Sequence, residues 1–75
     1  MSKRWAVIVY ERRDGAVAPF FHYFESKDQA EAAFGLLTEK AGVAVIQIDL
    51  FEQDLNWKGE AEVSVLLNRE ERKYA

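Results

Sequence analysis

Between Arg4 and Glu11 the chain places Trp5, Val7 and Val9 on one face of a strand and Ala6, Ile8 and Tyr10 on the other, so both faces are apolar. A strand of this kind needs cover on two sides, and 75 residues leave little chain to supply it. A single domain of that length buries only ~60% of the surface its unfolded form exposes. The usual staples of a small fold are missing: there is no cysteine, hence no disulfide or thiolate metal site, and one histidine offers little for zinc or nucleophile–base chemistry. Residues 1–75 therefore read as one domain held by packing alone.

The remaining elements follow from periodicity and turn chemistry. Arg12-Arg13-Asp14-Gly15 reads as a hairpin loop, with Asp in a type I turn and Gly closing a bulge. A second strand, 16–25, contains Pro19, which lacks a ladder donor and places this strand at a sheet edge. Ser26 has the spacing of a capping box with Gln29, and Ala30, Ala33, Phe34, Leu37 and Ala41 form one helical stripe ending at Gly42, where a left-handed cap is expected. Gly35 interrupts this helix and is read as a close approach of helix to sheet. Val43–Glu52 alternates as a third strand, Gln53–Gly59 reads as a loop, and Ala61, Val63, Val65 and Leu67 alternate as a fourth strand followed by a short helical turn. A helix over residues 61–74, with Val63, Leu66, Leu67 and Tyr74 as its stripe, is the competing reading. The expected fold is α+β, ββαββ, a small antiparallel sheet with one amphipathic helix packed on one face.

One helix covers one face of a four-stranded sheet, and the other face is not polar. Depending on which side meets the helix, the uncovered face is expected to show either Trp5, Val7, Val9, Phe21 and Tyr23 or Ile8, Tyr10, Phe20, His22 and Phe24. Apolar patches beyond ~400 Å² are uncommon on soluble monomers and mark interfaces. The expected cover is a different protein or a second copy. The alternative is that the loop carrying Leu55 and Trp57, or the segment with Tyr74, folds back over it.

Charge is unevenly spread. The chain carries −3 overall, while residues 43–62 hold Asp49, Glu52, Asp54, Glu60 and Glu62 against Lys58, a local −4. These five carboxylates are candidates for an acidic docking surface, and Tyr10, Phe20, His22, Phe24 and Trp57 for an aromatic one. Arg12 and Arg13, beside the strand aromatics, are the candidates for single-stranded nucleic acid, a reading disfavoured by the acidic balance. Asp49, Glu52 and Asp54 lack the spacing of a calcium loop, so no metal or other cofactor is expected. His22 has no carboxylate or nucleophile at a useful spacing, and Ser26 is explained as a cap, so no catalytic set is expected and the chain is read as non-enzymatic. No apolar run reaches the ~20 residues of a membrane helix and no signal-peptide pattern is present, so no membrane contact is expected and the expected location is the cytoplasm.

No family motif is present. In small size, acidity over Ile48–Glu62, an apolar sheet face and absence of a catalytic set, the chain resembles the small acidic proteins that bacteriophages encode to block host enzymes or defence complexes, including those of the anti-CRISPR type. That resemblance implies stoichiometric binding to a larger, nucleic-acid-handling protein complex. A homodimeric structural or regulatory domain is the main alternative.

Overall fold

A computed structural model describes residues 2–72. It contains β1 (Ser2–Arg13), β2 (Ala16–Phe24), α1 (Lys27–Lys40), β3 (Val45–Leu55) and β4 (Ala61–Glu71), in the expected ββαββ order. The strands form one antiparallel sheet ordered β2-β1-β3-β4. β1 thus lies between β2 and β3, which explains its two apolar faces: Ala6, Val7, Ile8 and Val9 are all buried. β2, with Pro19, lies at an edge as expected, where a missing N–H costs no ladder bond on the solvent side.

α1 starts at Ser26, whose Oγ accepts the Gln29 N–H at 3.2 Å, with Asp28 in the first turn. Ala30 and Phe34 bury its stripe against Val7, Val9, Val45, Ile48 and Leu50, with Trp5, Phe24, Leu37 and Ala41 at the margin. The helix does not end on a left-handed Gly42. Ala41 is extended (φ −61°, ψ 134°), and the Arg72 guanidinium donates to Thr38 O at 2.6 Å and Ala41 O at 3.1 Å. Carbonyls that a glycine cap would satisfy are taken by an arginine from beyond β4. Gly35 does not mark a close approach either, because a Cβ there would meet nothing within 4 Å.

Both later strands end further along the chain than expected, and β3 begins at Val45, leaving Val43 and Ala44 in the preceding turn. β3 takes in Gln53, Asp54 and Leu55, and β4 runs to Glu71, with Arg72 N–H donating to Ile46 O at 2.9 Å. Residues 61–71 are therefore strand and not helix, and no helical turn follows Leu67 before Glu71. Tyr74 lies outside the described residues. The ladder slips between Leu50 and Phe51, where Leu50 pairs with Asn68 and Phe51 with Leu66, leaving Leu67 as a bulge.

Candidate functional site

The first hairpin decides which side chains share a face. Asp14 (φ 49°) and Gly15 (φ 80°) are both left-handed, a two-residue type I′ turn that pairs Arg13 with Ala16. The bulged turn expected from sequence adds one residue, and a one-residue slip sends every β2 side chain to the other face. Both face assignments expected from sequence are therefore corrected. Phe20, His22 and Phe24 lie opposite Val9, Val7 and Trp5 on the helix side, whereas Phe21 and Tyr23 lie opposite Ile8 and Ala6 on the open side. The aromatic set Tyr10, Phe20, His22, Phe24 and Trp57 is not one surface: Tyr10, paired with Pro19, is on the open face, and Trp57 is in the β3–β4 turn.

The five carboxylates are divided in the same way. Asp49 is on the open face and only 1% exposed, where Arg69 donates from Nε to Oδ1 at 2.8 Å and from Nη2 to Oδ2 at 3.1 Å. The Gln47 amide adds 3.1 Å contacts to both oxygens. The hydrogen bond to Asp49 raises Arg69 further above the ordinary guanidinium range. Glu52 and Asp54 are on the helix side, where Lys3 Nζ meets Glu52 Oε2 at 3.2 Å and Asp54 Oδ1 at 3.3 Å, and Trp5 Nε1 donates to Glu52 Oε1 at 3.2 Å. Hydrogen bonds to Glu52 and then Asp54, with their charges behind them, raise the Lys3 ammonium above its ordinary value. Much of the local acidity is thus neutralised by cations about 20 and 50 residues away along the chain. Glu60 and Glu62 remain beside the exposed turn.

On the open face the polar side chains form transverse ladders. Arg4 Nε donates to Gln53 Oε1 at 2.7 Å, Gln53 Nε2 to Ser64 Oγ at 3.1 Å, and the Arg4 guanidinium lies 4.2 Å over the Tyr23 ring. Arg69, Asp49 and Gln47 form the second ladder. Between them runs an apolar row, Tyr23–Ala6–Phe51–Leu66, joined by Ile8 and by Phe21, whose ring lies nearly parallel to Tyr23 at 6.2 Å. Phe21 and Tyr23 are each 52% exposed. Lys3, Arg4, Gln53 and Arg69 had no role in the sequence reading; only the cross-strand register brings them to their partners.

The β3–β4 turn neither folds back nor covers this face. Asn56 Oδ1 accepts from Lys58 N at 2.8 Å and Glu60 N at 3.0 Å, and the backbone closes through Gly59 N to Asn56 O at 3.0 Å and Asn56 N to Glu60 O at 2.9 Å. Gly59 (φ 81°) supplies the left-handed residue. Trp57 at its tip is 89% exposed, with Lys58 Nζ 5.2 Å from its ring centre.

Arg12 and Arg13, successive in β1, point to opposite faces. Arg13 is over the Phe20 ring at 4.9 Å and pairs with Glu11 at 3.4 Å. With His22 and Lys40 it rims a shallow cavity of about 350 Å³ floored by Phe20, Leu37 and Val45. No protein-family model matches this chain, and neither the curated proteins nor the solved structures yield a match.

Proposed function

We propose that this chain is a non-enzymatic protein-binding module that presents Trp57, flanked by Glu60 and Glu62, to a larger protein. The observation that carries this reading is the 89% exposure of Trp57 on a turn tied by five hydrogen bonds through Asn56, one of them from its amide to Glu60 Oε1. Tryptophan is on average a well-buried residue, and interface hot spots are enriched in it. A turn already ordered loses little entropy when a partner pocket closes over its tip. The adjacent carboxylates favour a basic pocket rim, and the sharper form of the proposal is an inhibitor that docks in the basic groove of a nucleic-acid-handling complex. Single-stranded nucleic acid is the weaker reading, because Arg12 and Arg13 diverge while Arg4 and Arg69 already serve Gln53, Tyr23 and Asp49.

The test is capture from host lysate with immobilised full chain and with Trp57→Ala, each eluate read by mass spectrometry. A protein retained by the wild type and lost by a Trp57→Ala variant of unchanged melting temperature supports the proposal. Identical captured sets overturn it. For the sharper form, nucleic acid added in excess should displace the chain from its partner.

A further inference from the structure

We propose that the open face of the sheet, on the opposite side from α1, is occupied by a second copy of this chain, giving a two-fold sandwich of two sheets with the helices outside. This goes beyond the Trp57 reading and uses a different surface. The chain is thin for its length: its Cα radius of gyration is 13.1 Å, against about 11.3 Å for a compact domain of this size. Its accessible surface of 5292 Å² exceeds the ~4,700 Å² expected for a monomer of its mass. The excess fits a layer that lacks its second cover.

The chemistry of the face selects the occupant. Its central row is apolar, and the polar groups on either side are already hydrogen-bonded, Arg69 to Asp49 as an ion pair and Arg4 to Gln53, so a partner need supply few polar contacts of its own. Arg4, Arg12 and Arg69 share this face with Asp49 and with Glu71, which lies opposite Gln47, three cations against two carboxylates. The net negative charge of the chain therefore resides elsewhere, and a balance of about +1 spread over the whole face leaves two copies little to repel. A strongly basic or acidic partner would find no matching excess there. Four strands spaced ~4.8 Å and about ten residues long give a face of roughly 19 by 33 Å. Before side-chain relief is counted, that is already on the scale of the ~800 Å² per partner that stable interfaces bury. A small core without staples needs its cover whenever it is folded, and its own copy is the partner always present.

The experiment is sedimentation equilibrium on the full chain, with Phe21→Glu/Leu66→Glu as the variant. The wild type should sediment at twice the 8.7 kDa of one chain, and its melting temperature should rise with concentration. The variant should fall to the monomer mass while keeping its far-ultraviolet dichroism. Should the variant unfold, the wild type decides: methyl signals of Leu66, 42% exposed in the single chain, should be shielded from a soluble paramagnetic agent, while those of Val63 and Val65 stay accessible. A monomeric wild type overturns the proposal. So does a dimer that shields Val63 and Val65 instead, which would mean pairing through the helix side of β4. Dimerisation should survive Trp57→Ala, so failure here and failure of partner capture are separately visible.

Discussion

Arg69 grips Asp49 through two hydrogen bonds, at 2.8 and 3.1 Å, across the β3–β4 ladder, and the carboxylate it holds is 1% exposed while its own side chain is 42% exposed. The two partners are therefore not equivalent. Removing the arginine leaves a desolvated carboxylate with only Gln47, whereas removing both charges leaves an apolar site beside Ile8. Arg69→Leu should lower the denaturation midpoint severalfold more than the exposed-cation change Lys3→Met. Asp49→Leu/Arg69→Leu should recover most of that loss. Chemical denaturation of the four members of the cycle measures the coupling, and additive single effects would contradict it.

The Asp14-Gly15 turn sets the register of the whole sheet. With both residues left-handed, Gly15→Ala should cost about 1–2 kcal/mol, the penalty of that conformation for an L residue. Asp14→Asn should be neutral or slightly stabilising, since Asn-Gly suits a type I′ turn. Asp14→Val should destabilise at least as much as Gly15→Ala, because a β-branched residue tolerates positive φ poorly. Thermal melts of the three variants check the order.

The elements were readable from sequence wherever the signal was local. The Ser26–Gln29 cap, the Ala30–Phe34–Leu37 stripe and the Pro19 edge each depend on residues a few positions apart. What escaped was set by pairing. Asp14-Gly15 is compatible with a two-residue or a bulged turn, and that single residue exchanges Phe20 and His22 for Phe21 and Tyr23 on the open face. Likewise, Gln53–Leu55 and Asn68–Glu71 look like loop or helix by composition. They are strand because Gln53 meets Arg4 and Ser64 and Arg69 meets Asp49, partners that only the assembled ladder supplies. The pairing of Asp49, Glu52 and Asp54 was hidden for the same reason, their cations being distant in sequence.

Lys3 provides a pH signature. Its folded-state value is raised above the ordinary 10.5 by Glu52 and Asp54, so the ammonium's contribution to stability is complete below the unfolded value and is lost as pH rises through the folded one. Wild-type protein should therefore lose stability more steeply than Lys3→Met above pH 10.5, the two curves running parallel below it down to neutrality. Denaturant midpoints on either side of that pH give the comparison, and parallel curves throughout would show that the pair contributes nothing.

Gly35 gives the sharpest test of where α1 sits. A glycine inside a helix costs ~0.5–1 kcal/mol relative to alanine unless packing requires it. Here the residue looks over a groove of about 520 Å³ between α1 and β4, lined by Phe34, Leu50 and Leu67, and a Cβ would meet nothing within 4 Å. Packing therefore asks nothing of it. Gly35→Ala should stabilise the fold by ~0.5–1 kcal/mol, through helix propensity and a less flexible unfolded chain, with the denaturant slope unchanged. A destabilised variant would mean that α1 lies closer to β4 in solution and that the groove is closed.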